Sequence, residues 1–342
     1  MTFRFYFIIV CIINLYYLIS AEEKQIAPLP KHVLPSGRVL PPIGFGTFGW
    51  GTHLNGLTSY LSAIDNGYRL IDTCSFYDNK LTIGLAVKQQ IAAKLITRKD
   101  VFIISKIWNT FHKSQSVVEN IREDLKELGF DRIDAGLLHY PTSFQPGINK
   151  TPKFENGSYV PMFWEKDKGY LEAYRGLEAA FLLGLIGSIG LSNVNVHQIN
   201  KILENAYIRP VILEIECHPF YKNEKLINFG KQNNMSVICY APLRGGSQEL
   251  KNNPVLKEIA SKHNQNVQQV ALRWNMQRGT IVIPRSHNKI HQLENIKSQN
   301  FVLDENDMDK INNLPDLKKL MNISGLQTHP DYPFGPGYDT EP

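Results

Sequence analysis

Residues 101–138 read VFIISKIWNTFHKSQSVVENIREDLKELGFDRIDAGLL, and three signals in that order decide the fold. VFIIS is a short β-rich apolar run of the kind shown by a strand covered on both faces. Ser116 with Glu119 three residues on predicts a capping box, and Val117, Val118, Ile121, Leu125 and Leu128 fall on one stripe of the helix it opens. Gly129 predicts the helix stop, and IDAGLL the next strand. Strand, helix and strand in so short a stretch make a βαβ unit with parallel strands.

The same alternation extends in both directions. Apolar strand candidates lie at 43–46, 69–72, 101–105, 133–138, 186–190, 211–215, 236–240 and 281–284, each but the last followed by a helical pattern before the next. Eight parallel strands over about 250 residues fit a closed (β/α)8 TIM barrel better than a doubly wound sheet. No linker or composition shift divides residues 39–320, so the expectation is a single α/β domain. Residues 22–38 form a lead-in and 321–342 a C-terminal loop.

Composition narrows the function. Of 342 residues, 43% are hydrophobic, and 37 basic against 32 acidic side chains leave a net charge of only +5. No long basic run with interleaved aromatics is present, which argues against a nucleic-acid partner. Residues 1–21 place Arg4 before FYFIIVCIINLYYLI and end at Ser20-Ala21 ahead of Glu22-Glu23-Lys24, the layout of a secretory signal. The apolar run falls short of the ~20 residues a spanning helix needs, so cleavage near Ala21 ranks above a membrane anchor. The expected location is therefore secreted or in the endoplasmic reticulum lumen, with no membrane contact after cleavage. N-x-S/T sequons begin at Asn149, Asn156, Asn234 and Asn322. Cys11 lies in the leader; Cys74, Cys217 and Cys239 have no metal-ligand or C-x-x-C spacing and are expected as buried thiols, with no metal site.

In such a barrel function sits at the C-terminal ends of the strands. The runs here end in Asp72, Lys106, His139, Ser192-Asn193, Glu214, Tyr240 and Arg285-Ser286, with Tyr77 five positions after Asp72. Any one of these could be a loop residue with a satisfied hydrogen bond. A carboxylate, a phenol, an ammonium and an imidazole on one face can together tune and use a proton near neutral pH.

The segments GYRLIDTCSFYDN, FIISKIWNT, LLHYP, GLSN, IECHP, YAPL and IPRS followed by ENI, closing with HPDYPF, resemble the aldo-keto reductase family, and its aldose reductase group in particular. They run in the family's order over nearly all of the chain after the leader. The resemblance implies a β/α barrel, most simply a monomer, that binds NADPH in extended form and reduces an aldehyde or ketone. It makes Tyr77 the general acid, Lys106 the ammonium that lowers the phenol from its free value near ~10, Asp72 the holder of Lys106, and His139 the guide of the substrate oxygen. For the cofactor it implies Thr47, Asp72, Leu243 and Glu214 as contacts, Ser192 and Asn193 on the carboxamide, and Tyr240 under the nicotinamide. Arg285 and Ser286 fall on the 2′-phosphate, with His291, Glu294 and Asn295 around the adenine end. Phe48, Trp108, Tyr140 and Phe144 fall on the substrate pocket, whose aromatic walls suit a bulky apolar or steroid-like ketone better than a sugar.

Four positions here depart from the family pattern. Leu213-Glu214 replaces Asn-Gln before the IECHP stretch, so a carboxylate stands where an amide is usual. His291 stands where an arginine is usual, and Arg244 where glycine is common. Arg244 reads either as a pyrophosphate contact or, preferably, as a solvated loop charge. Two further patterns mislead. Gly44-Phe-Gly46-Thr-Phe-Gly49 matches G-x-G-x-x-G, but Pro41-Pro42 spoil the strand before it. Tyr221-x-x-x-Lys225 imitates a short-chain dehydrogenase pair and reads as an exposed loop-to-helix stretch. The alternative to an enzyme is a secreted non-catalytic binding or carrier protein on the same barrel.

Overall fold

The computed structural model describes residues 29–49, 54–321, 323 and 325–335. The expected signal segment, with Cys11, and the Asn322 sequon lie outside the described residues. A hairpin of β1 (His32–Val33) and β2 (Val39–Leu40) precedes the barrel strands β3 (Phe45–Gly46), β4 (Leu70–Asp72), β5 (Phe102–Ile107) and β6 (Ala135–Leu138). Then follow β7 (Ile189–Ser192), β8 (Ile212–Glu216), β9 (Ser236–Tyr240) and β10 (Ile281–Ile283). The eight pair in sequence order, all parallel. Closure comes from the last strand meeting the first: Gly44 N donates to Val282 O at 2.8 Å and Val282 N to Pro42 O at 3.0 Å. This is a (β/α)8 barrel, as the alternation predicts.

Side chains along a strand alternate between faces. One set, Ile71, Ile103, Ile189, Leu191, Leu213, Val237 and Val282, packs outward in the main core with the surrounding helices. The other set, Leu70, Ile104, Leu137, Ile212 and Ile238 among them, fills the barrel interior, and Leu34 and Leu40 of the N-terminal hairpin join the same cluster. Two residues beyond those five interior positions come Asp72, Lys106, His139, Glu214 and Tyr240. The period of two that buries one apolar layer therefore raises a polar layer directly above it, at the C-terminal mouth.

One local expectation fails. The helix after β5 runs Ser114–Leu128, so Ser116 sits inside it and makes no cap. The Glu172 carboxylate from the following helix, Lys168–Leu182, accepts instead from Ser114 N at 3.2 Å and from its hydroxyl at 3.0 Å. A carboxylate beside exposed N-terminal amides favours the helix dipole, and it fixes the start three residues early. Gly129 ends the helix in the left-handed region, φ 66°, as expected. Gly176 brings Lys168–Leu182 close to this helix, since a Cβ there would lie 2.5 Å from Val117 Cβ.

The chain after Leu314 crosses the mouth. Leu320 N and Met321 N donate to the Glu216 carboxylate at 2.6 and 2.8 Å, His329 Nε2 lies 2.8 Å from Ser143 O, and Gln198 Nε2 donates to Asp331 O at 3.0 Å. Cys74, Cys217 and Cys239 are free and buried. Asn149, Asn156 and Asn234 are exposed.

Candidate active site

Lys106, with no exposed surface, joins two strands across the mouth: its ammonium contacts Asp72 Oδ1, lies 3.3 Å from Glu214 Oε1, and donates to Thr73 O at 3.1 Å. Burial alone would lower this lysine, but the two carboxylates more than reverse the effect and hold it charged. Both carboxyls are raised by burial, and Glu214 reaches about 8 because Asp72 adds like-charge repulsion. Glu214 Oε2 is a buried oxygen without a hydrogen-bond partner.

Tyr77 stands over this cluster, with the Lys106 ammonium 5.4 Å from its ring centre and His139 edge-on at 5.9 Å. The expectation that Lys106 lowers the phenol is not met. Burial raises Tyr77 well above its usual range, and Asp72 and Glu214 push it the same way. The ring remains partly open to the mouth, which moderates the shift without reversing it. A protonated phenol is the form a general acid needs.

His139 is buried and stays neutral, pushed well below its usual range by burial and then by Lys106. Its Nδ1 lies 2.9 Å from the Cys74 thiol, which burial keeps protonated and able to donate to it, so Nε2 carries the ring proton and is the nitrogen left to meet a substrate oxygen; the same sulfur accepts from Phe76 N at 3.2 Å.

The loop from Asp72 to Asn79 carries Tyr77 and is braced from below. Thr47 donates to Asp72 O at 2.7 Å and accepts from Asn79 Nδ2 at 2.9 Å, while Thr73 donates to Asn79 Oδ1 at 2.6 Å. The Thr47 hydroxyl, expected at a cofactor, is thus committed to the protein. Asn79, at the end of the quoted GYRLIDTCSFYDN motif, is the brace the sequence reading passed over.

The cofactor-side residues divide into two groups. Near the catalytic cluster, Asn193 donates to His139 O and Ser192 Oγ, both at 3.0 Å, and accepts from the Tyr240 hydroxyl at 2.6 Å. Lys319, from the C-terminal crossing, donates to Tyr240 Oη at 3.0 Å; no sequence signal marked it. Leu243 is half-buried against the main core. At the rim, Arg285 is exposed and donates to Phe48 O, and Ser286 Oγ accepts from Asn288 N at 3.1 Å. Asn288 caps the helix Lys289–Lys297 by accepting from Ile290 N and His291 N. Exposed His291 lies in its first turn, half-buried Glu294 accepts from Gln269 through its carbonyl, and buried Asn295 accepts from the Ser298 hydroxyl through its carbonyl at 2.6 Å.

Arg244 is not a solvated charge: it is half-buried, reaches Lys318 O at 3.2 Å and faces His218 Nε2 at 3.5 Å, tying its loop to the C-terminal crossing. Tyr221, read as exposed, is half-buried and has the Lys319 ammonium over its ring. Of the pocket aromatics, Phe48 is 45% exposed and packs on Tyr77 at 5.2 Å, and Trp108 lies edge-on to His139 at 5.3 Å. Phe76, unmarked in the sequence, stacks on Trp108 at 4.2 Å. Tyr140 is nearly covered beside His139, and Phe144 is fully covered, stacked on Tyr159 at 4.3 Å. Phe144 therefore backs the pocket wall and cannot form its surface.

Known proteins agree with this geometry. Residues 42–316 match the model of the Aldo/keto reductase family. Mouse estradiol 17 beta-dehydrogenase 5 is 32% identical over 318 residues, covering 89% of this chain and 97% of that protein. Bovine aldo-keto reductase family 1 member A1 is 32% identical over 325 residues, covering 90% and 98%. The structure of the aldose reductase from Schistosoma japonicum matches with a TM-score of 0.84 at 32% identity, over 91% of this chain and 99% of its own. The chain belongs to the aldo-keto reductase family, whose members are NAD(P)H-dependent oxidoreductases acting on carbonyl compounds.

Proposed function

We propose that this protein is an NADPH-preferring reductase of aldehydes or ketones, with Tyr77 as the proton donor. The observation that carries the reading is the Asp72–Lys106 contact beneath Tyr77 with His139 beside it, all at one barrel mouth. The residues fit the cofactor: Glu214, with a buried, unpartnered Oε2, pairs across the strands with Ser192, and the exposed Arg285 guanidinium precedes the N-terminus of the helix Lys289–Lys297 at the rim. When bound, NADPH supplies the hydride. The chain does the rest. His139 Nε2 aligns the carbonyl oxygen, Tyr77 gives its hydroxyl proton to that oxygen as negative charge develops, and the Lys106 ammonium offsets the charge left on the phenol. Phe48 and Phe76 offer apolar aromatic surface for a bulky ketone, with Trp108 stacked behind Phe76. That surface and the mouse relative's name favour a steroid-like substrate class over a sugar. Purified protein with NADPH and a panel of aldehydes and ketosteroids tests the reading by loss of NADPH absorbance; no oxidation with any of them would sink it. The carrier alternative draws no support from a site in which all four reactive groups are assembled.

The cofactor end makes a separate prediction. Arg285→Ala is expected to weaken NADPH by roughly 1.5–3 kcal/mol, a lost charge-assisted contact, and NADH much less. His291→Arg adds a permanent charge in the first turn of the helix that follows Arg285 and is expected to tighten NADPH selectively. Fluorescence titrations with both cofactors decide this. Equal losses for NADPH and NADH in Arg285→Ala would show that the 2′-phosphate is held elsewhere.

We also propose entry into the secretory route through residues 1–21. Exposure of Asn149, Asn156 and Asn234 supports it, because a glycan there meets no packed surface. Secreted protein is expected to lose mass on N-glycosidase treatment and to start after Ala21; an intact, unglycosylated cytosolic chain would overturn the proposal.

A further inference from the structure

Glu214 changes the charge count of the catalytic cluster. Its strand β8 pairs with β7 so that Glu214 lies opposite Ser192, and its side chain reaches Lys106 from the side away from Asp72's strand. One ammonium thus serves two carboxyl groups, with side-chain exposures of 0% for Lys106, 5% for Asp72 and 3% for Glu214. Both ionised, the three would leave a net negative charge buried below Tyr77. That charge opposes the negative oxygen the reaction creates. With one proton retained, the cluster is neutral.

We propose that Glu214 is a positioning residue that works in its protonated form: it keeps the Asp72–Lys106 cluster neutral beneath Tyr77 and turns Oε2 into a hydrogen-bond donor for a bound carboxamide. The inference rests on the reductase reading. The geometry says which group holds the proton. Asp72 Oδ1 is in direct contact with the ammonium and stays ionised, whereas Glu214 is farther at 3.3 Å and keeps one oxygen unpartnered. The other titratable groups facing Glu214 are the phenols of Tyr77, Tyr140 and Tyr240, all held protonated. An amide at this position is neutral and able to donate at every pH. A carboxyl is so only while protonated, so this protein carries an alkaline shut-off that an amide would not give it.

The test compares wild type with Glu214→Gln, with Glu214→Met as a second variant in case the first does not fold. In cofactor-free wild type at neutral pH, infrared difference spectra are expected to show a protonated-carboxyl stretch that fades as pH rises through about 8 and is missing in either variant. In fluorescence titrations, wild-type NADPH affinity is expected to fall several-fold across the same pH range, while that of Glu214→Gln stays flat. The descending limb of kcat/KM moves to higher pH in Glu214→Gln, whatever its height. A carboxyl band that persists in the variants, or matching pH profiles, overturns the proposal and leaves the reductase reading intact. A Glu214-dependent band in a protein that neither binds nor oxidises NADPH overturns the reductase reading instead, and the cofactor-facing half of the proposal with it.

Discussion

Tyr77→Phe is expected to cut carbonyl reduction by roughly 10²–10⁴-fold, the contribution of a positioned proton donor. NADPH affinity should stay within a few-fold of wild type. The change removes one hydroxyl and keeps the ring, which packs on Phe48 at 5.2 Å and His139 at 5.9 Å, so the pocket wall survives. Hydride arriving at the carbonyl carbon leaves charge on oxygen, and without the phenol only neutral His139 remains to meet it. Because burial raises Tyr77, the wild-type phenol is protonated across neutral pH, and the loss should be similar at every pH where the enzyme works. Single-turnover kinetics with cofactor titrations alongside separate binding from chemistry. Turnover within a few-fold of wild type would remove Tyr77 from the acid role.

Why that set was legible in sequence follows from the strand period. Leu70, Ile104, Leu137, Ile212 and Ile238 fill the barrel interior, so the polar residue two places on in each run must rise above it toward the mouth. Quantities that depend on meetings across the barrel were not legible. Lys106 could be seen near Asp72 in the chain order, but Glu214 comes three strands later, and only the closed barrel lets both carboxyls share one ammonium. Burial is the main reason the phenol moves up and not down, and the two carboxyls add to it. The helix start at Ser114 was missed for the same reason: its cap is Glu172, far along the chain. Phe144 looked like pocket surface because the ring covering it, Tyr159, lies in the long connection after β6. Polar residues in helices raise a related difficulty, since a charge in an amphipathic pattern reads as solvated until its neighbours are known.

Asp124 is the strongest such case, and Asp124→Ala is expected to destabilise the fold by about 3–5 kcal/mol. Asp124 is 1% exposed and meets Lys80, 3% exposed, with Nζ 2.9 Å from Oδ1. It also accepts from Ser105 Oγ at 2.5 Å, and Ser75 Oγ lies 3.3 Å away. Truncating the carboxylate strands a buried ammonium whose other partners are Cys74 O at 3.4 Å and Glu127 at 3.6 Å, the latter 43% exposed and too well hydrated to replace it. Removing both charges differs from removing one: Lys80→Met with Asp124→Leu should recover most of the loss, because apolar groups of similar volume fill the site without a desolvation cost. The pair also underlies the catalytic loop. Ser75, which reaches Asp124, bonds Lys106 O through its N–H at 3.1 Å, two residues before Tyr77. The single variant should therefore lose activity at temperatures where it remains folded, and the double variant should regain it with the stability. Urea unfolding of wild type, Asp124→Ala and the double variant, with kcat measured on each, reads both effects. A single-variant cost below ~1 kcal/mol would mean that solvent or Glu127 already serves Lys80, and that the pair contributes little to holding Tyr77.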